Sequence, residues 1–292
     1  MYYRIILSLL SISMLYAKVR VVSSTTDLAA ITREIGGDKV TVQSIARGNQ
    51  DPHYVEILPS YMLKVKRADI YLKVGAELDL WADQIIDGSR NTRLQVVDCS
   101  QDIQLQEVPT TKINASMGDV HSFGNPHYWL DPANGIRIAE GIARALSTRD
   151  PENARLYDAN LAVFRSKVEQ AMESWKKEYA SLVDAKIIYY HNSWPYFNSR
   201  FGLVAADFVE PKPRIMPTPT HIDELVKLIQ NQNLKIIGME PYFSRKAPDY
   251  LAAKTGITVV KLAQSVGAVP GTDSYLDMIA YNLRVIHEVL FP

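Results

Sequence analysis

The chain of 292 residues carries 32 basic and 32 acidic side chains, and 47% of its residues are hydrophobic. This length suits one or two globular domains. The balanced charge argues against a nucleic-acid-binding protein, which would show an excess of basic residues, and the absence of low-complexity sequence argues against disorder. The composition therefore favours a globular protein with a sizeable apolar core.

The first 17 residues have the pattern of a secretory signal peptide. Arg4 supplies a positive charge, an apolar run occupies residues 5–15, and Tyr16-Ala17 offers a cleavage site. The run is shorter than the ~20 residues of a membrane span, so a membrane-embedded protein is not expected, and a buried first helix is the alternative. No cysteine stands at the cleavage point, so the sequence predicts a free periplasmic protein that is not lipid-anchored. Cys99 is the only cysteine, so no internal disulfide is expected.

Short runs of apolar and β-branched residues recur along the chain, separated by stretches of helical length. Four runs lie in each half: residues 19–22, 40–45, 70–74, 94–97, 187–190, 203–208, 236–239 and 257–262. Each continuous run suits a strand that is buried on both faces, and the spacers suit crossover helices. The sequence therefore predicts an α/β fold with two parallel-sheet lobes.

A long amphipathic segment separates the two halves. It begins at Asp150-Pro151, a good helix start, and its apolar positions are spaced by three and four residues: Leu161, Phe164, Val168, Met172, Trp175, Tyr179 and Leu182. At 1.5 Å per residue, a helix over residues 151–182 would be roughly 48 Å long, enough to run along both lobes as a rigid strut. A coiled-coil dimer is the alternative, but the stripe spans little more than three heptads, so a monomer is expected.

These patterns divide the chain into four parts. We predict a signal peptide at residues 1–17, an N-terminal α/β lobe at 18–132, a helical linker that includes the strut at 133–182, and a C-terminal α/β lobe at 183–292. Familiar catalytic motifs are missing, among them G-x-G-x-x-G, G-x-S-x-G and H-E-x-x-H. Their absence lowers the expectation of an enzyme.

Three histidines follow predicted strands at the edge where open α/β sheets bind ligands. His53 comes after the second run, His127 after the fourth, and His191 directly ends the fifth. Neutral imidazoles are good ligands for zinc, and a proline beside His53 and beside His127 stiffens each loop. Asp273, after the last run, and Glu240, at the end of the seventh, could each supply a fourth donor. At each histidine the alternative is an ordinary hydrogen-bonded loop residue.

The other three histidines are less informative. His121 is either a loop residue or an accessory metal contact. His221 opens an amphipathic segment and is expected to cap it or to face solvent, whereas His287 lies within the predicted C-terminal helix and is expected to be structural.

Several longer motifs accompany these histidines: Asp51-Pro-His53, Leu58-Pro59-Ser60, Ala68-Asp69, Asn125-Pro-His127-Tyr-Trp-Leu-Asp131-Pro132, Asp150-Pro151-Glu-Asn153 with Tyr157 and Asn160, and Gly271-Thr-Asp273-Ser-Tyr275 leading into Tyr281-Asn282-Leu283. With them, the chain from Val19 onward resembles the metal-binding receptors of bacterial ABC transporters for zinc and manganese. The resemblance implies two lobes bridged by a rigid helix, with a metal held between them at His53, His127, His191 and Asp273.

The resemblance also bears on the metal and the partners. A histidine at the position of His191 goes with zinc in that family and a glutamate with manganese, and nitrogen donors favour zinc on chemical grounds too. The long histidine-rich loop of many zinc receptors is absent, since His121 is the only histidine among residues 107–124. The leading hypothesis is a periplasmic zinc receptor that serves a membrane permease with a cytoplasmic ATPase.

Three alternatives remain at this stage. The first is a manganese receptor of the same family. The second is an exported zinc hydrolase with water in the fourth metal position and Asp273 or Glu240 as general base. The third is an exported adhesion or interaction protein.

Overall fold

The computed structural model describes residues 18–111, 121–212 and 215–292, so the predicted signal peptide lies outside the described residues. Two four-stranded sheets, each entirely parallel, contain eight strands: β1 (Val19–Ser23), β2 (Val40–Ser44), β3 (Ile70–Lys73), β4 (Gln95–Asp98), β5 (Lys186–Tyr189), β6 (Val204–Phe208), β7 (Ile236–Met239) and β8 (Thr258–Lys261). Each predicted run overlaps one strand. The predicted fold of two parallel-sheet α/β lobes is confirmed.

Both sheets have the same topology. The strand order is β2-β1-β3-β4 in the first lobe and β6-β5-β7-β8 in the second. In the first lobe the chain adds β2 on one side of β1 and then crosses over to add β3 and β4 on the other side, and the second lobe repeats this pattern. The order of strands therefore switches sides between the two central strands, β1 and β3 or β5 and β7. In open α/β sheets, ligands bind outside the carboxyl ends of strands beside such a switch.

Nine helices lie in the part of the chain that the structure describes: α1 (Thr26–Gly36), α2 (Pro59–Lys66), α3 (Trp81–Ser89), α4 (Pro132–Arg149), α5 (Ala154–Glu178), α6 (Pro195–Phe201), α7 (Pro219–Gln232), α8 (Lys246–Thr255) and α9 (Tyr275–Leu290). Within those same ranges, no helix combines the length and the apolar character that crossing a bilayer requires.

The linking helix is shorter than predicted. Residues 151–182 form a 3-10 turn at Pro151–Asn153, the 25-residue helix α5, and a second 3-10 turn at Ala180–Leu182. At 1.5 Å per residue α5 is about 37 Å long, so the predicted 48 Å was wrong. The first turn is held by Asp150, whose Oδ2 accepts hydrogen bonds from Asn153 Nδ2 (2.8 Å) and Tyr157 Oη (2.7 Å). The spacing of apolar residues does not reveal hydrogen bonds of this kind.

The apolar core is shared between the lobes. Its largest cluster draws buried side chains from both sheets and from the linking helices, for example Ile31 of α1, Ile142 of α4, Val168 of α5, Ile187 of β5 and Ile279 of α9. Two smaller clusters lie within single lobes. The two lobes therefore share one packed core along α5. The domain bounds given above stay a prediction.

Asp131 joins the end of the first lobe to the second. Its Oδ1 caps α4 by accepting from Ala133 N (2.9 Å). Arg200 of α6 donates from Nε to Oδ1 (2.7 Å) and from Nη2 to Oδ2 (2.8 Å), a bidentate ion pair. One mostly buried carboxylate thus fixes a helix start and an interlobe contact at once.

Asp131→Ala is expected to lower the free energy of unfolding by about 2–3 kcal/mol, since it removes a helix cap and leaves a half-buried guanidinium without its partner. Urea denaturation followed by circular dichroism measures the loss. The control is Asp249→Ala, which breaks the exposed pair with Arg245 and should cost about 0.5 kcal/mol or less. Equal losses in the two variants would contradict the assigned role of Asp131.

Candidate metal centre

Three imidazoles converge between the lobes. One ring nitrogen from each of His53, His127 and His191 lies within 4.8 Å of the other two. Their ring centroids are 5.1 to 5.7 Å apart. His127 and His191 are buried and His53 is partly buried. Among the described residues this is the one group of three or more histidine, cysteine or acidic side chains with such a geometry.

Each ring is held through its other nitrogen. All three Nδ1 atoms bond to a side-chain oxygen: His53 to Asp51 (2.8 Å), His127 to Asn125 (2.9 Å) and His191 to Glu210 (2.6 Å). A carboxylate only accepts, so Nδ1 carries the proton in the first and third rings. Asn125 donates from Nδ2 to the carbonyl of Asn192 (2.8 Å), which turns its Oδ1 towards His127. In the neutral form of each ring, Nε2 is therefore the nitrogen without a proton.

The unprotonated nitrogens face a common space. Nε2 of His53 and Nε2 of His127 are buried without any hydrogen-bond partner. An orphaned buried polar atom is costly unless a ligand supplies the missing interaction. Three converging lone pairs whose rings are oriented by outer oxygens match the arrangement of histidine ligands around a divalent metal. They leave one position of a tetrahedron for a fourth donor.

Two of the loops use the same local device. In Asp51-Pro-His53, Asp51 Oδ1 accepts from both the backbone N (3.0 Å) and Nδ1 of His53. In Asn125-Pro-His127, Asn125 Oδ1 accepts from the backbone N (3.1 Å) and Nδ1 of His127. An Asx side chain that bonds two residues ahead fixes the loop and the ring together. The repeated Asx-Pro-His pattern could have identified both outer partners, which the sequence analysis missed.

The outer oxygens also set the charges of the site. Burial and the neighbouring histidines hold the pKa of His127 well below its usual range. Burial opposes protonation of His191 as well, but the hydrogen bond to Glu210 and the charges of Glu240 and Glu210 outweigh it and raise the His191 pKa. For Asp51 the contacts with His53 outweigh burial and lower the pKa. The carboxylates of Asp51 and Glu210 therefore place negative charge beside His53 and His191, which favours a cation at the site.

The acidic candidates for a fourth donor lie outside the cluster. Asp273 is exposed in the loop between β8 and α9, and its role as a ligand stays a prediction. Glu240 is fully buried; its Oε1 accepts from Trp194 Nε1 (3.0 Å), and burial raises its pKa to about 7. Its Oε2 has no partner, yet Glu240 does not join the three nitrogens.

The remaining histidines also lie outside the cluster. His121 stacks on His53 with ring centroids 5.4 Å apart, but it is not among the convergent donors. The ring of His221 bonds through Nε2 to the carbonyl of Phe208 (2.9 Å). His287 packs against Tyr179 and Phe291 in α9.

Zn²⁺ affinity is expected to weaken as pH falls towards 6.5, beginning above that value because His191 has a raised pKa and a proton competes with the metal for Nε2. Glu210→Gln should weaken the affinity by about 10- to 100-fold and shift the pH dependence to lower pH. Chelator competition between pH 5.5 and 8 measures both effects. The control, Glu224→Gln, alters an exposed carboxylate near His221 and should change neither; a pH-independent affinity would contradict the three-histidine shell.

Comparison with known proteins gives a consistent answer along the chain. The family described as zinc-uptake complex component A, periplasmic (ZnuA), matches residues 21–289. The manganese ABC transporter substrate-binding lipoprotein PsaA of Streptococcus mitis is 27% identical over 282 residues, which cover 94% of this chain and 89% of the relative. The iron ABC transporter substrate-binding lipoprotein MtsA of Streptococcus pyogenes serotype M1 is 26% identical over 286 residues, with the same coverage of both chains.

Solved structures agree with this. A crystal structure of ZnuA is 25% identical, with a TM-score of 0.78, and the match covers 92% of this chain and 98% of the other. The laminin-binding adhesin Lmb of Streptococcus agalactiae, in a mutant form, is also 25% identical, with a TM-score of 0.79 and the same coverage. The chain belongs to the ZnuA family, the metal-binding substrate receptors of ABC transporters.

Proposed function

We propose that this protein is a periplasmic receptor that binds one Zn²⁺ ion between its lobes and delivers it to a membrane permease driven by a cytoplasmic ATPase. The observation that carries the proposal is the set of three imidazoles, each held at Nδ1 by a side-chain oxygen, with one ring nitrogen from each within 4.8 Å of the other two. Family membership supports the class of protein, and the nitrogen donors support zinc as the metal.

Nitrogen donors favour zinc over manganese. Zn²⁺ is a borderline cation that binds imidazole well, whereas Mn²⁺ prefers carboxylate and carbonyl oxygens. His191 places nitrogen where an oxygen ligand would suit manganese better. Because the relatives above are named for manganese and for iron, the choice of zinc rests on these side chains.

A binding role fits the site better than catalysis. With Asp273 as the fourth ligand, the shell would be complete and would leave no position for a reacting water. A hydrolase would instead need water in that position and a base beside it. Glu240, the buried acid nearest to that description, already accepts from Trp194 and stands outside the cluster.

The location and state of the protein are part of the proposal. The predicted signal peptide supports export to the periplasm, and the packing of the apolar face of α5 into the core of its own chain supports a monomer over a coiled-coil dimer. Freedom from a lipid anchor stays a prediction, and the relatives named as lipoproteins do not support it.

His191→Glu is expected to raise the Mn²⁺-to-Zn²⁺ affinity ratio by at least about tenfold, because a carboxylate oxygen replaces an imidazole nitrogen. Since Glu210 lies against that position, the substitution is also made together with Glu210→Gln to remove the repulsion between two carboxylates. Calorimetric titration with each metal gives the ratio. His221→Glu, outside the cluster, is the control, and an unchanged ratio in both His191 variants would remove His191 from the site.

Asp273→Ala is expected to weaken Zn²⁺ binding by at least about tenfold, the lower end of what even an outer partner contributes. Asp277→Ala, exposed on the first turn of α9, is the matched control and should bind normally. Anomalous scattering at the zinc edge, from crystals of protein purified without added metal, checks the ion and its shell. A bound water in place of Asp273, with unchanged affinity, would favour the hydrolase.

A further inference from the structure

One segment of the second lobe is gripped by the first. We call residues 264–268, between β8 and α9, the interlobe clasp. Val266 donates from its backbone N to Asp27 Oδ1 (2.9 Å), and its carbonyl accepts from Thr26 Oγ1 (2.7 Å). The carbonyl of Gln264 accepts from Trp129 Nε1 (2.8 Å). Three hydrogen bonds from the first lobe therefore hold one short backbone segment.

The two backbones touch directly at Gly48. A Cβ atom built on Gly48 would lie 2.2 Å from the Val266 oxygen and 2.9 Å from the Ala268 nitrogen. Only glycine permits so close an approach of one backbone to another. The clasp is a direct contact with no room for a side chain between the lobes.

The clasp is coupled to Asp273 within the same loop. Gly267 donates from its backbone N to the carbonyl of Thr272 (2.7 Å). Thr272 is fully buried and donates from Oγ1 to the carbonyl of Val269 (2.7 Å). These bonds close a tight turn, so movement of Val266 must also move the residue that follows Thr272.

Asp27 is an unusual choice for such a contact. It is fully buried, its Oδ2 has no hydrogen-bond partner, and it forms no ion pair among the described residues. A buried carboxylate without a cation is costly. Burial accordingly raises the Asp27 pKa to about 7, although the bond from Val266 opposes the rise. Near pH 7 Asp27 in the closed clasp is therefore poised between the neutral acid and the carboxylate.

The hydroxyls and phenols around Asp27 do not ionise near neutral pH, whereas Glu240, whose pKa burial also raises to about 7, does; the Asp27→Asn variant below separates the two acids. The hydroxyls of Thr25 and Ser265 lie beside it, and the phenols of Tyr242 and Tyr275 face it across the interface. Burial raises both phenol pKa values well above their usual range, so neither phenol ionises near neutral pH. Tyr242 also faces the acid Glu240, which adds to the negative surroundings.

We propose that Asp27 is a positioning residue for the metal centre: by holding Val266 it keeps the clasp closed, and opening of the clasp releases the metal. This inference rests on the proposed function. Opening would expose Asp27 to water and return its pKa towards the ordinary value of about 4. The closed form thus binds the proton more tightly, and raising the pH through about 7 favours opening.

The test is the rate of Zn²⁺ dissociation into excess chelator, followed by stopped flow from pH 6.5 to 8.5. In the unmodified protein the rate should rise about fivefold between pH 7 and pH 8, the change that ionisation of one group with a pKa near 7 allows. Asp27→Asn keeps an oxygen for the Val266 amide but cannot ionise, so its rate should not rise between pH 7 and pH 8. Asp27→Ala removes the acceptor, so its rate should be at least about tenfold faster at every pH, in keeping with a buried hydrogen bond lost.

Asp79→Asn is the matched control. Asp79 is another buried acid, but it accepts from Val74 N (2.8 Å) and Gly75 N (3.0 Å) inside the first lobe, away from the clasp. Its substitution should leave the pH dependence of dissociation unchanged. The same alkaline slope in the Asp27→Asn variant as in the unmodified protein would overturn the proposal, as would an unchanged rate in Asp27→Ala.

A second measurement does not depend on the metal. Hydrogen exchange of the peptide that contains residues 264–268, in the metal-free protein and corrected for intrinsic exchange, should lose protection as pH rises through 7 in the unmodified chain only. Equal protection in the unmodified and Asp27→Asn proteins at every pH would overturn the clasp. Absence of zinc binding in all variants, with the exchange difference intact, would instead count against the proposed zinc function.

Discussion

The site depends on where three protons sit. An imidazole binds a cation through a ring nitrogen that carries no proton, and because Nδ1 of each ring faces a side-chain oxygen, that nitrogen is Nε2 here. The oxygens of Asp51, Asn125 and Glu210 impose that state. Two of them lie in the same loop as their histidine, and the third, Glu210, lies two residues past the end of β6. The tautomers are thus fixed before any cation arrives, and so are the ring orientations.

The fold makes this arrangement inexpensive. Parallel strands deliver their following loops to one edge, so histidines far apart in the chain meet without long excursions of backbone. His53 and His127 come from the first lobe and His191 from the second, and the contact between lobes is anchored by Asp131 and the shared core. A cation held by all three would therefore bridge two bodies that are already joined behind it.

Much of this could be predicted from local sequence, because its causes are local. Strands buried on both faces need continuous apolar runs, and the histidines that end or follow them can be found by counting. The oxygens that hold the three rings differ in the same way: two are local in sequence and one is not. Asp51 and Asn125 sit two residues before their histidines and were within reach, whereas Glu210 bonds to His191 only because β5 and β6 are neighbours.

Other features have causes that periodicity does not record. The linking helix α5 begins only at Ala154, after a 3-10 turn whose hydrogen bonds to Asp150 the spacing of apolar residues does not encode. The contact between Asp27 and Val266 joins residues 239 positions apart and is made by a backbone amide, a group present at nearly every position. Asp273 was placed by its loop, and a loop position does not fix the direction of a side chain. Contacts made by backbone groups, or by residues far apart in the chain, could be identified only from the three-dimensional structure.

The core that runs through both lobes also limits what this receptor can carry. A large rotation of one lobe against the other would expose the apolar cluster that includes side chains of α5 and α9, and the free energy gained by burying those side chains would be lost. Entry and exit of a ligand would then depend on local movement of the loops around the site. Movement of that kind suits a single ion stripped of its water better than a sugar, a peptide or a metal held in a bulky chelate. A core shared by both lobes would thus select its cargo by size, before any ligand chemistry begins.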